Sequence, residues 1–379
     1  MHNYIPLSLY IHIPWCVKKC PYCDFNSYTM EGNLPEKQYI ETLLRDLKQD
    51  LSLIQGRSIK SIFFGGGTPS LFSPKSIGEI LDKASAFLDF EPNLEITLEA
   101  NPGTVEHHAF SDYQSAGITR ISLGAQSFQN EKLAQLGRIH TIEETKCAIK
   151  SILAANFNSF NIDIMYGLPN QTVADALFDL KMALSFSPPH LSWYNLTIEP
   201  NTIFHHKKPP LPLDDTLAEM EQAGLEYLAK QELAQYEISA FSKPQHQCKH
   251  NLNYWKFGDY LGIGAGAHAK ITDLKTHTIT RYWKTRYPKS YLETDHALLA
   301  GSQIILTEEI PLEFMLNALR LTAGTSVQEF ETRSGLPIAS IATQLSDAEK
   351  KGLLIITENQ KIKTSHLGKR FLNDLLTLF

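Results

Sequence analysis

Six short apolar runs, rich in β-branched and aromatic residues, recur through the first two hundred positions, at 7–14, 59–64, 94–98, 118–123, 160–166 and 191–198. Bounded runs of this length read as buried strands. Between them lie segments of helical period, the clearest at 36–54, where Tyr39, Ile40, Leu43, Leu44, Leu47, Leu51 and Ile54 share one face. Its start, Asn33-Leu34-Pro35-Glu36, reads as a capping box with proline in the first turn. Strands alternating with helices imply right-handed βαβ units and a parallel sheet, and six units curl into a partial (β/α)6 barrel, an α/β fold. Polar and glycine residues follow the strands in Gly65-Gly66-Gly67-Thr68-Pro69, Glu99-Ala100-Asn101-Pro102 and Gly167-Leu168-Pro169. Barrel active sites are built at that C-terminal rim.

The alternation stops after Glu199-Pro200, and a proline-rich stretch at 207–212 leads to a helix beginning near Asp214. Beyond Pro311 the pattern gives helices at 312–323, 326–334 and 338–351, a hairpin at 353–365 and a last helix from 366, the order of a winged helix. Three parts are expected: a barrel at 1–240, an aromatic and glycine-rich extension at 241–300, and a small C-terminal winged-helix-like α+β domain at 301–379. Residues 306–379 carry eight Lys and Arg against nine Asp and Glu, so the basic footprint of a nucleic-acid binder is missing. The net charge of −6 comes without blocks of like charge, which also argues against a polybasic membrane anchor. Five cysteines are too few, and odd in number, for a disulfide framework, and a reducing compartment suits them better. With no leader-like start and no apolar run long enough to span a bilayer, the expected location is cytoplasmic.

Cys16, Cys20 and Cys23 stand directly after the first strand, on a loop able to wrap an inorganic cluster with converging thiolates. Structural zinc would need four tetrahedral ligands. The other cysteines, Cys147 and Cys248, are isolated, and Cys147 falls in a helical segment as a small core residue. His12, an alternating strand neighbour, is read as an orienting residue. Three thiolates and one missing ligand suit a 4Fe-4S cluster whose fourth iron takes a chelating small molecule. The three successive glycines after the second strand exceed what a turn requires; lacking Cβ atoms, they would let backbone approach a ligand.

The C-x3-C-x2-C spacing with an aromatic, Tyr22, before the last cysteine resembles the radical S-adenosylmethionine (SAM) signature. The resemblance implies that SAM chelates the open iron and is cleaved by one electron to a 5′-deoxyadenosyl radical. It extends to the coproporphyrinogen oxidase-like branch through Tyr10-Ile11-His12-Ile13-Pro14, Gly124-Ala125-Gln126-Ser127-Phe128, Leu136-Gly137-Arg138 and the stretch from Asp163 to Pro169. By it, Tyr10, Gly66 and Glu99 touch the SAM on the cluster, with Tyr22 beside it, while Gln126, Arg138 and Asp163 join Gly67 and Thr68 around a second SAM. Arg138 and Asp163 could alternatively pair with each other across the rim.

Two departures separate the chain from the branch's oxygen-independent coproporphyrinogen III oxidase. Phe25 stands where the oxidase has a further cysteine, and only nine residues precede Tyr10 where it has a long extension. His250-Asn251-Leu252-Asn253-Tyr254-Trp255 is instead similar to the H-N-x-x-Y-W element of HemW-type haem chaperones. An imidazole can ligate haem iron, and Tyr and Trp can cover a porphyrin face. His268, in the glycine-rich 261–268 segment, is a second ligand candidate. The resemblance implies a haem-binding chaperone with cluster and SAM, transferring haem to a respiratory acceptor protein that would bring it to the membrane periphery. Radical decarboxylation of coproporphyrinogen III is the alternative, and monomer and dimer remain equally open.

Overall fold

A computed structural model describes residues 5–104, 108–294 and 296–379. The six expected strands form: β1 (Leu7–Ile13), β2 (Ile59–Gly66), β3 (Phe90–Ala100), β4 (Arg120–Gln126), β5 (Ser159–Tyr166) and β6 (His190–Asn195). Each pairs in parallel with the next. After β6 the chain adds a hairpin, β7 (Ala234–Glu237) and β8 (Ala240–Ser242), whose second strand pairs antiparallel with β6. It then returns to the opposite side, where β9 (Asp259–Ile263) pairs in parallel with β1. An antiparallel run of β10 (His268–Thr272), β11 (Ile279–Lys284) and β12 (Leu299–Ile304) completes a twelve-stranded sheet in the order β12-β11-β10-β9-β1-β2-β3-β4-β5-β6-β8-β7. The seventh parallel strand was not among the expected six, because Leu261 to His268 reads as a glycine-rich loop.

The strands alternate. Leu7, Leu9, Ile11 and Ile13 of β1, with Ile62, Phe64, Leu98, Ile121, Leu123, Ile162 and Leu191, are buried in one core under the crossover helices. The intervening positions carry polar groups toward the barrel interior. Period two along a pleated strand puts the two sets on opposite faces.

The 36–54 segment divides at Asp50 into helices Glu36–Gln49 and Leu51–Ile54. Asp50 binds Lys284 Nζ at 2.5 Å, an ion pair that ties the break to β11. The expected capping box does not form. Pro35 occupies the cap without a side-chain bond, and the Glu36 carboxylate instead accepts from Ser73 N and Oγ at 3.1 and 2.9 Å. Capping boxes do form at Thr141/Glu144, Thr172/Asp175 and Ser326/Glu329. Cys147, on helix Ile142–Ala154, is exposed rather than a core residue, because the apolar face of that helix passes through Ala148, Ile149 and Ile152.

The C-terminal part has its own core around Phe314, Phe330, Ile341, Leu345 and Ile362. Helices Ile310–Ala318, Val327–Ser334 and Ala342–Lys350 surround a small sheet of Thr325–Ser326, Lys361–Thr364 and Leu354–Ile356. Phe257, between helix Lys249–Trp255 and β9, joins this core and packs against Phe314 with ring centroids 5.4 Å apart. No helix among the described residues is long and apolar enough to cross a membrane.

Candidate functional site

The cysteine loop leaves β1 and is closed at both ends. Trp15–Cys16 pairs with Tyr28–Thr29, Tyr28 N donates to Pro14 O at 2.7 Å, and Met30 N donates to Cys16 O at 2.8 Å. Cys16 is buried, Cys20 and Cys23 are half-buried, and all three are free thiols. Arg138 Nη1 approaches the Cys20 sulfur at 3.6 Å, and Ser27 Oγ lies 3.7 Å from that of Cys23. Burial pushes the Cys16 and Cys23 thiols up, a cost that binding to iron removes because the ligand form is the thiolate. Among the described residues no three His, Cys, Asp or Glu side chains are gathered to hold a single metal ion. A 4Fe-4S cluster spans its thiolates through its own irons and sulfides, so this loop fits such a cluster with one iron left to a non-protein ligand.

The glycine triplet has a packing role in addition to the ligand-facing one expected. Gly66 has φ +113°, and a Cβ there would lie 2.5 Å from the His12 ring; at Gly65 it would lie 2.9 Å from Tyr10, and at Gly67 it would overlap the Trp15 carbonyl. The space a Cβ would need is thus already held by β1 and the cysteine loop, while Gly66 itself lines the barrel cavity. Gly67 N donates to Ile13 O at 2.8 Å, Thr68 N to Trp15 O at 2.7 Å, and Gly66 N to Glu99 Oε2 at 3.3 Å. The triplet therefore seats the cysteine loop on β2.

The remaining rim residues divide into two groups. Near the cysteines, Arg138 donates to Asn101 Oδ1 and, at 2.8 Å, to Gly124 O, and Asn101 Nδ2 donates to Thr68 Oγ1 at 2.8 Å. Gln126, at φ 67°, accepts from Tyr194 OH at 2.9 Å, and Tyr22 packs against Phe204. Facing the barrel interior are Tyr10, Gly66, Glu99 and Asp163. Asp163 accepts from Asn161 Nδ2 at 2.8 Å and Ser122 Oγ at 3.0 Å, so the Arg138–Asp163 pair does not form. Burial, with Asp163 nearby, pushes the Glu99 carboxyl up to about 8. Burial likewise pushes Asp163 up.

The interior is a cavity of about 850 Å³, within the roughly 300–1,000 Å³ range of cofactor-sized pockets. Its far wall is helix Lys249–Trp255, whose N-terminus is held by the Glu95 carboxylate, accepting from Lys249 N at 2.8 Å and His250 N at 3.3 Å. His250, Tyr254 and Trp255 line the cavity, and the His250 ring lies 6.4 Å from that of Tyr10. His250 is buried, and its Nδ1 meets Ser61 Oγ at 3.0 Å and its Nε2 meets Tyr254 OH at 2.9 Å. Burial lowers its pKa to about 3, which keeps the ring neutral. Sequence reasoning missed Arg120, Ser122, Asn161, His190 and Ser192 on the barrel wall. The signal was present, as polar residues at alternate positions inside otherwise apolar strands.

Fold and site define a radical SAM protein with an appended C-terminal domain. Residues 10–183 match the Radical SAM superfamily model and 306–371 the HemN C-terminal domain. The solved structure of Escherichia coli coproporphyrinogen III oxidase HemN superposes with a TM-score of 0.82 at 22% identity, covering 99% of this chain and 90% of the oxidase. The haem chaperones HemW of Haemophilus influenzae and Escherichia coli are 50% and 48% identical, with 99% of this chain and 98% of each relative aligned. The Bacillus subtilis HemW is 31% identical over 98% of both chains. The chain belongs to the HemW haem chaperone family.

Proposed function

We propose that the chain carries a 4Fe-4S cluster on Cys16, Cys20 and Cys23, binds SAM along the rim, holds haem in the barrel cavity, and passes haem to a haem-requiring acceptor protein in the cytoplasm or at the membrane periphery. The observation that carries this reading is one continuous cavity joining Tyr10, Gly66, Glu99 and Asp163 to the His250, Tyr254 and Trp255 wall. When bound, cluster and SAM supply one-electron chemistry. The chain's own residues do the positioning. Arg138 places a guanidinium against the Cys20 sulfur. Tyr22, Gly67, Thr68 and Gln126 complete the SAM-facing rim by the same family resemblance. Glu99, protonated at neutral pH, offers a hydroxyl donor rather than a negative charge to what binds beside it. His250 contributes its ring to the haem wall, where it orders Tyr254.

The test is one anaerobic preparation of the full chain scored for iron, sulfide, haem uptake and coproporphyrinogen III turnover. About four irons and four sulfides per chain, lost on Cys16→Ser, Cys20→Ser or Cys23→Ser but kept on Cys147→Ser, are expected, with haem bound and no decarboxylation. Stoichiometric zinc without labile sulfide would overturn the cluster assignment, and robust protoporphyrinogen IX formation would replace the chaperone with an oxidase.

A further inference from the structure

Four histidines line the cavity: His12, His190, His250 and His268. In three of them both ring nitrogens are engaged. His12 meets Asn26 O at 2.8 Å and Tyr10 OH at 3.1 Å; His190 meets Asn161 Oδ1 at 2.7 Å and Tyr236 OH at 2.8 Å; His250 meets Ser61 and Tyr254. All three are at most 5% exposed. His268 differs on every count. It is exposed, and its ring makes no hydrogen bond to a described residue. It starts β10 directly opposite Trp283 of β11, at the cavity mouth with Arg281 and Arg286.

We propose that His268, rather than His250, ligates the iron of haem in this cavity, with Trp283 against the porphyrin and Arg286 pairing a propionate. The assignment rests on the haem reading above and names the ligand within it. An axial ligand must present a neutral imidazole with a lone pair toward open space. For His250 to do so, a bond to Ser61 or Tyr254 must break where little water can replace it, leaving a buried polar group unsatisfied. His268 gives up only solvent. Partial desolvation at the cavity mouth, with the charges of Arg281 and Arg286, lowers its pKa, so the ring is neutral over a wider pH range. Arg281 is committed to the Glu313 carboxylate. Arg286 uses Nε for Asn26 Oδ1 at 2.8 Å, and its terminal nitrogens carry no bond to a described residue. A guanidinium fork open at the mouth suits a carboxylate.

The experiment titrates haemin and metal-free protoporphyrin IX into the full-length wild-type chain and into His268→Ala, His250→Gln and Arg286→Ala. His268→Ala should shift the haemin Soret band and weaken haemin binding about tenfold, with added imidazole restoring the band, while protoporphyrin IX binding stays unchanged. His250→Gln should keep the wild-type band position. Arg286→Ala should weaken both porphyrins alike. An unshifted band in His268→Ala, or equal weakening of both porphyrins by it, would overturn the assignment; so would loss of the band in a folded His250→Gln protein. A wild-type chain that takes up no haemin would instead overturn the haem reading itself.

Discussion

Glu99 accepts from the Gly66 amide at 3.3 Å and faces a second buried carboxyl, Asp163, and burial with that neighbour raises its pKa to about 8. Unfolding returns it to the ordinary carboxylate range near 4.5. Between these values the folded state holds a proton that the unfolded state has released. The contribution of Glu99 to stability is therefore fully present below about pH 4.5 and is lost as pH rises through about 8, by at most about 1.4 kcal/mol per pH unit. Urea unfolding of the ligand-free chain from pH 5 to 8 should show this decline, and Glu99→Gln should flatten it; an unchanged slope would place the raised group elsewhere. The neighbouring Gly66 presents a different constraint. Gly66→Ala combines a left-handed backbone with overlap onto His12 and should cost about 2–3 kcal/mol. A His12→Ala, Gly66→Ala double variant should recover part of the loss, because it removes the overlap but not the backbone strain.

At the scale of elements, Asn26 fastens the cysteine loop to the appended strands. Its Nδ2 donates to Ala265 O and Arg286 O, each at 2.9 Å, and its Oδ1 accepts from Arg286 Nε at 2.8 Å and Tyr28 OH at 3.2 Å. The Asn26 backbone carbonyl in turn holds His12, so β1, the cysteine loop, the turn before β10 and the end of β11 meet at one residue. Asn26→Ala should leave the sheet intact, cost about 1–3 kcal/mol, and speed amide hydrogen exchange in both 24–30 and 264–268. Acceleration confined to one of these segments would show that the bonds do not couple them.

Across the whole molecule, Asp259 closes the junction between the barrel and the strands that follow it. It is buried with Arg57 at 2.7 Å and Lys270 at 2.9 Å, and it accepts from Thr272 N at 2.7 Å and Thr272 Oγ1 at 2.9 Å. Burial pushes its carboxyl up, but Lys270 and Arg57 outweigh that and hold it below the ordinary range. Its stabilising contribution is thus present above the usual carboxylate pKa and lost as pH falls through the depressed one. Asp259→Asn leaves Arg57 and Lys270 buried without their counter-charge and should cost about 3–5 kcal/mol. A cooperative thermal melt shifted by several degrees is expected; a shift of a degree or less would mean that the two cations find other partners.

The cysteine triplet, the six parallel strands and the order of the C-terminal elements could be read from the sequence because each rests on local spacing or period. The thiols lie on one loop, the strand runs are bounded, and the helices at 326–334 and 338–351 follow their own apolar pattern. What neighbours do with a residue was not legible. The glycine triplet reads as ligand space, but that its missing Cβ atoms also make room for His12 and Trp15, 54 and 52 positions away in the chain, could not be read. His250 reads as a ligand-facing imidazole, and only folding brings Ser61 and Tyr254 to its two nitrogens. The seventh parallel strand, and the cavity mouth where His268 meets Trp283 and Arg286, exist because the chain after β8 crosses back to β1. Sequence period records which face of an element is apolar; long-range pairing decides which polar atoms are satisfied and which are left open to bind.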